Sequence, residues 1–390
     1  MILTKEEKNR IEIIQAVVEG KIDVEDAAKL LFLSERQVYR LLAKVEQGDI
    51  SSVLHGNKQR VAPNKIADQF WDTILLLVKE RYQGINDRHL QEILKREHAI
   101  EVGRESLRQR LRLEGFAPKH KRRKKKYRQR RERKAAFGMM LQIDASPHDW
   151  LEGRGEVLSL VGARDDATGF VWCRFEQSET TWAYMALMRE IFLSHGLCFS
   201  LYSDRHAIFH SPREASIIEQ LNNQRPLTQF GRAMSELGIK IIKAHSPQAK
   251  GRIERLWEFF QDRLVVEMRL QAITTKEQAN NFLSGFLKQI NTSFTVPAQE
   301  AESVFRASPR ARELDRILCL KETRVVNSDH TISYDGLILQ LPRSSKYASI
   351  AKQRVEVLQL KDRSLEIVYK KQVIQRLSEK ALERMMKDKP

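Results

Sequence analysis

The chain has only three cysteines in 390 residues, Cys173, Cys198 and Cys319, and they lie far apart. No pair stands at metal-ligand spacing and no even set offers a disulfide framework. Neither a structural zinc module nor a secreted, cross-linked domain is therefore expected. Long apolar runs are also lacking: none approaches the ~18 residues that a membrane-spanning helix needs. Met1–Arg10 is charged where a signal peptide would be apolar. No glycine-rich phosphate loop is present, which argues against a mechanism driven by a nucleotide cofactor. These gaps point to a cytoplasmic protein, with length enough for two or three domains of roughly 150 residues each.

What the sequence has in excess is positive charge. Lys and Arg number 68 against 51 Asp and Glu, a net +17. Of this, +11 is concentrated between Lys119 and Lys134, where twelve basic residues meet one acid, Glu132. A block of that kind repels itself, cannot enter a core, and attracts a polyanion. The expectation is a basic linker over 119–136 whose Lys121, Arg122, Arg123, Lys124, Lys125 and Lys126 ride on DNA phosphates, with affinity that falls steeply as salt rises.

Two helical modules precede the linker. Over 1–55, Asp23 is placed to cap a helix carrying Ala27, Leu30 and Leu31. Ser34-Glu35-Arg36-Gln37 then forms a capping box before Val38, Leu41, Leu42 and Val45. Two short helices around a tight Phe32-Leu33 turn follow helix-turn-helix grammar, with Arg36, Gln37 and Arg40 facing outward at the start of the recognition helix. After a basic connector at His55–Asn64, a second helical module of winged-helix or helix-turn-helix type is expected over 64–118. Its last helix turns Leu107 and Leu111 inward and leaves Arg104 and Arg108 for DNA.

Beyond the linker, strands and helices alternate. Met139–Asp144, Val157–Ala163, Phe170–Phe175 and Phe199–Asp204 read as strands. Asp165–Gly169 reads as the turn of an antiparallel hairpin, and Phe230–Leu237 as a helix before a short strand at Ile239–Ile242. Ile253, Leu256, Trp257, Phe260 and Leu264 are the apolar stripe of a long helix with Glu254 on its polar side. The resulting order predicts a mixed sheet flanked by helices. Asp144 and Asp204 each close an apolar strand, where a carboxylate is costly unless paired or metal-bound. Adjacent strands would bring them together, and Glu254 can complete an all-oxygen site for two Mg²⁺ or Mn²⁺ ions. Two such ions would activate a water or sugar hydroxyl and stabilise the leaving 3′-oxygen of a phosphodiester. Glu258 and Asp262, one and two turns beyond Glu254, are competitors for the third position. Asp165 and Asp166 read as turn residues, His206 and His245 as surface histidines, and Lys250 and Arg252 as phosphate contacts.

Asp144, Asp204 and Glu254, in this strand and helix order, resemble the DDE triad of the ribonuclease H-like integrase and transposase superfamily. The segments Phe230–Ile239 and His245–Arg255, the latter with its Lys-Gly-x-x-Glu-Arg stretch and running on to Gln261–Leu264, are similar to bacterial insertion-sequence transposases of the ISNCY group. The resemblance covers nearly the whole chain. It implies a ribonuclease H-like catalytic core over 137–295 and magnesium-dependent strand cleavage and strand transfer at transposon ends by a homo-oligomeric synaptic complex. Forty-nine residues separate Asp204 from Glu254, more than in retroviral integrases, and the zinc-binding module of those enzymes is absent.

Beyond Leu320 the period switches to two, with a strong hairpin turn at Asp335-Gly336, so a small β-barrel is expected over 320–376. The whole then reads as a multidomain α+β chain: helix-turn-helix modules, an α/β core with a mixed sheet, and a C-terminal barrel. Its partners would be double-stranded DNA, both transposon terminal repeats and target. Two other readings compete: a catalytically inactive DNA-binding regulator, and a ribonuclease H-like nuclease that cuts without joining strands.

Overall fold

Polar caps set the ends of the N-terminal helices. The computed structural model describes residues 5–48, 53, 66–119, 132–214, 217–221, 226–244, 251–342 and 349–387. The chain divides into two compact units, Met1–Gln83 with Arg108–Phe116, and Gly84–Leu107 with Ala117–Pro390. The first holds α1 (Lys5–Val18), α2 (Val24–Leu31), α3 (Glu35–Glu46) and α4 (Asp68–Glu80). Asp23 Oδ1 accepts from the Asp26 N–H at 2.7 Å to start α2. Phe32, at φ 54°, ends α2 in the left-handed region, and Gln37 Oε1 accepts from the Ser34 N–H at 3.1 Å to start α3. Ile14, Ala27, Ala28, Val38 and Val53 form the small core of these helices. Arg36, Gln37 and Arg40 lie exposed on α3. Helix α4 buries Trp71, Ile74, Leu75 and Val78. The connector at His55–Asn64 and the basic stretch Lys121–Lys126 lie outside the described residues.

The second unit opens with α5 (Asp87–His98), capped by Asn86, whose Oδ1 accepts from the His89 N–H at 2.9 Å. Helix α6 (Arg104–Leu113) begins in this unit and from Arg108 onward belongs to the first; Leu107 and Leu111 are buried and Arg104 and Arg108 exposed. The central sheet contains β1 (Leu141–His148), β2 (Leu158–Asp165), β3 (Val171–Glu176), β4 (Ser200–Ser203) and β5 (Lys240–Lys243), in the order β3-β2-β1-β4-β5. Strands β1 to β3 are antiparallel, whereas β4 and β5 continue the sheet in parallel from β1. Between them run α7 (Thr181–His195), α8 (Ile217–Leu221) and α9 (Gln229–Glu236), followed by α10 (Gly251–Leu270) and α11 (Lys276–Phe294). Residues of α7 and α9 pack with Leu141, Ile143, Val161 and Ala163 on one face of the sheet. Residues of α10 and α11 pack with Leu158, Leu160, Cys173 and Phe175 on the other. Alternation along each strand thus serves two cores. Helix α5 is tied to α10 through a buried carboxylate: Glu267 stands 2.8 Å from His89 Nε2 and accepts from Arg96 at 2.9 and 3.1 Å.

Two differences from expectation concern the strands. Strand β1 does not stop at Asp144 but runs on to His148, because it pairs with β2 throughout, from Leu141↔Asp165 to His148↔Leu158. At the C-terminus, after α12 (Ala311–Ile317), come β6 (Leu320–Val325), β7 (Thr331–Tyr334), β8 (Leu337–Gln340), β9 (Arg354–Gln359), β10 (Leu365–Tyr369), β11 (Gln372–Leu377) and α13 (Glu379–Lys387). Among the described residues these strands form a four-stranded sheet, β11-β10-β9-β6, and a separate β7–β8 hairpin rather than one closed barrel. The hairpin turns at Asp335-Gly336, both at positive φ. Its strands pair with each other and share a single apolar core with the sheet, through Ile332, Leu339, Val357 and Ile367.

Candidate active site

Period two along β1 sorts its side chains. Leu141, Ile143 and Ala145 face the α7 core, which leaves Gln142, Asp144 and Ser146 to face α10. Each meets a partner there. Gln142 Nε2 donates to Asp166 Oδ1 at 2.8 Å, and the same oxygen is ion-paired with Arg252 of α10. Trp257 Nε1 donates to Asp144 Oδ2 at 3.0 Å. Gln261 Nε2 donates to Ser146 Oγ at 3.1 Å. Asp144 and Ser146 are therefore pinned by α10 directly, and Gln142 through Asp166, which Arg252 of α10 engages. The Trp257 ring fits against the sheet because the residue opposite Asp144 in β2 is Gly162. A Cβ there would stand 2.5 Å from Trp257 Cη2 and 2.8 Å from Cys173 Sγ.

Asp204 follows β4 directly. The parallel register pairs Leu141 with Leu201 and Gln142 with Tyr202, and the same offset carried two residues on sets Asp144 level with Asp204. Both are half-buried. Asp204 Oδ1 accepts from the His206 N–H at 2.9 Å, which turns the chain out of the strand. Tyr184, wholly buried on α7, donates from its hydroxyl to Glu179 Oε1 at 2.7 Å. Burial, then the Glu179 carboxylate, then the charges of Asp144 and Asp204 push the Tyr184 phenol well above its ordinary pKa. Both aspartates thus lie within electrostatic reach of one phenol.

Glu254 sits exposed in the first turn of α10. Among the described residues no three His, Cys, Asp or Glu side chains are gathered as metal ligands, so Glu254 is not drawn in beside the aspartates. The aspartate pair by itself offers a hard oxygen donor set of the kind Mg²⁺ or Mn²⁺ takes. Of the competing acids, Glu258 is exposed on α10, and Asp262 is committed elsewhere, 2.7 Å from Lys119 Nζ and bonded to the Asn86 amide. Asp165 and Asp166 do hold the β2–β3 turn, but from buried positions. Arg252, read from the sequence as a phosphate contact, has its guanidinium on Asp166. Lys250 and His245 lie outside the described residues, and His206 is exposed. By its spacing in the sequence Trp257 reads as core alone. It is core, and the indole N–H that every tryptophan must satisfy when buried is the signal that could have found its second role.

No family model matches the chain. It is 32% identical over 370 residues to a Sinorhizobium fredii (strain NBRC 101917 / NGR234) protein assigned as transposase y4bF, an alignment that covers 94% of this chain and 80% of that one. It is 31% identical over 365 residues to the transposase for insertion sequence IS1202 of Streptococcus pneumoniae, covering 85% of this chain and 77% of that one. Among solved structures, the catalytic core domain of BIV integrase superposes with a TM-score of 0.26 at 19% identity, over 36% of this chain and 78% of that one. The simian T-cell lymphotropic virus intasome in complex with PP2A regulatory subunit B56 gamma gives 0.33 at 13% identity, over 78% and 99%. At that level of superposition neither neighbour bears on the site.

Proposed function

The chain belongs to the transposase family, and we propose that it cleaves and joins DNA at insertion-sequence ends through Asp144, Asp204 and Glu254. The parallel register of β1 and β4, which carried two residues on would bring Asp144 abreast of Asp204, supports this reading. Two like charges so placed need a cation between them. In this reading Asp144 and Asp204 hold Mg²⁺, with Mn²⁺ as a substitute, and Glu254 supplies the third carboxylate from the first turn of α10. When bound, the metal supplies charge against the reacting phosphate and lowers the pKa of an attacking water. The Trp257 N–H holds Asp144 in one orientation. Hydrolysis breaks a P–O3′ bond and frees a 3′-hydroxyl. That hydroxyl then attacks a target phosphate and displaces another 3′-oxygen, so one phosphodiester replaces another without a covalent enzyme link.

Recognition is assigned to the N-terminal helices and the basic stretch. Arg36, Gln37 and Arg40 on α3, and Arg104 and Arg108 on α6, would contact terminal-repeat DNA, with Lys121, Arg122, Arg123, Lys124, Lys125 and Lys126 on the backbone and Lys250 and Arg252 near the scissile phosphate. The C-terminal β module is a further surface for DNA or for a second subunit of a homo-oligomeric synapse. The test is Asp144→Asn in a cleavage assay on a duplex carrying the element's own ends. Cutting should fall by about 100-fold or more while duplex affinity stays within about twofold. Undiminished cutting by the variant removes the mechanism.

A further inference from the structure

The turn between β2 and β3 gathers guanidinium groups, two of which are held by carbonyl oxygens. Arg164, near the end of β2, donates from Nη1 to the Arg252 carbonyl at 2.6 Å. The Arg252 guanidinium itself is ion-paired with Asp166, whose side chain is fully buried. Arg133 Nη1 donates to the Ala167 carbonyl of the same turn at 2.9 Å. Gly169, at φ +80°, lets both guanidinium groups close on the turn: Arg164 Nη2 lies 3.2 Å and Arg133 Nη1 3.9 Å from where its Cβ would stand. The other acid of the turn is turned inward. Asp165 is engaged by the Thr168 N–H at 2.7 Å, the Thr168 hydroxyl at 2.8 Å and the Gly138 N–H at 3.0 Å. Arg164 Nε is buried and meets no acceptor among the described residues.

We propose that this turn is an anion site in which Arg133 and Arg164 grip one backbone phosphate of DNA, with Arg252 fixed beside them by Asp166. The inference rests on the transposase reading for the identity of the anion. Arg133 and Arg164 are held by carbonyl oxygens rather than carboxylates, so their charge is poorly balanced where water is scarce. Burial foremost, then repulsion from Arg133 and Arg252, moves the Arg164 pKa down, with Asp166 opposing. A phosphodiester answers that imbalance with acceptors of the geometry a guanidinium fork prefers. Arg133 is also the last basic residue but one of the Lys119–Lys134 stretch, which joins phosphate-seeking charge in the sequence to this turn.

The experiment is a salt series of full-chain binding to a random-sequence DNA duplex, read by fluorescence anisotropy, for Arg133→Gln and Arg164→Gln. Each variant should bind about tenfold more weakly at low salt and lower the slope of log affinity against log salt by about 1. Arg164 is half-buried, so should its replacement lower the melting temperature, the exposed Arg133 decides. A linker residue that merely docks on the turn would shift melting and leave the slope alone. Wild-type binding with an unchanged slope in Arg133→Gln overturns this site and spares the transposase reading. Failure of the wild type to bind duplex overturns both.

Discussion

Replacing Trp257 by Phe removes the Nε1–H and part of the ring while keeping an apolar aromatic on α10. Asp144 Oδ2 then loses the donor that stands 3.0 Å away. A hydrogen bond to a charged group contributes about 1.5–3 kcal/mol when both partners are shielded. Asp144 is half-buried, so water recovers part of this and about 1.4 kcal/mol is the expected loss, a factor of about ten. Loss of an orienting partner to a metal-binding carboxylate has effects of the same order, about 10- to 100-fold. Single-turnover strand cleavage should therefore slow by about tenfold and require more Mg²⁺ for half-maximal rate. Trp257 is 6% exposed, so the smaller ring also leaves a void, and stability should fall by about 1 to 2 kcal/mol. Measuring cleavage well below the melting transition separates the two effects. A variant that melts earlier yet cuts at the wild-type rate and Mg²⁺ dependence would show that the indole only fills space.

Gly162→Ala attacks the same contact from the sheet side. Its Cβ would stand 2.5 Å from Trp257 Cη2, a crowding that costs about 1–3 kcal/mol, so thermal melting should drop; adding Trp257→Phe should restore part of the loss, and strictly additive losses would refute the contact. Glu267→Gln tests the α5–α10 tie. Burial alone would raise the Glu267 pKa, but hydrogen bonds from His89 and Arg96 bring it below its ordinary 4.5. A depressed carboxylate pKa adds stability that is complete above 4.5 and is lost as pH falls through the lower folded value. The wild type should lose melting temperature below about pH 4.5 more steeply than Glu267→Gln, which should itself be less stable at neutral pH by about 2 kcal/mol. Parallel acid-side slopes would sink the assignment.

The parts of this fold written in short-range chemistry were readable. Asp23 and Ser34 start α2 and α3 where their capping signals stand. The turn at Asp165–Gly169 joins two antiparallel strands, and the stripe from Ile253 to Leu264 is buried along α10. What escaped was set by distant partners. Helix α12, short and polar with only Leu314 buried, carries no periodic stripe. Strand β11, whose residues are exposed or half-buried, is held by its ladder to β10 rather than by its own pattern. Which edges close a small β module is likewise a matter of pairing between strands, and the β7–β8 hairpin lies apart from the larger sheet for that reason. Arg252 reads as a phosphate contact until the fold brings Asp166 to it across 86 residues.

The two aspartates repay separate treatment, since an acid at a strand end has an ordinary explanation as a turn former. For Asp204 that explanation holds in part, because its Oδ1 does cap the turn through the His206 N–H. For Asp144 it fails. The strand passes straight through this residue for four more positions, all paired to β2, so no turn or cap calls for a carboxylate there. A half-buried charge in mid-strand is unfavourable without a partner, and Trp257 supplies a neutral donor rather than a countercharge. An N–H donor orients a carboxylate without neutralising it. With Asp204 directly after the neighbouring parallel strand, the proposed role of the pair in holding a divalent cation gives the mid-strand carboxylate a purpose that turn formation does not.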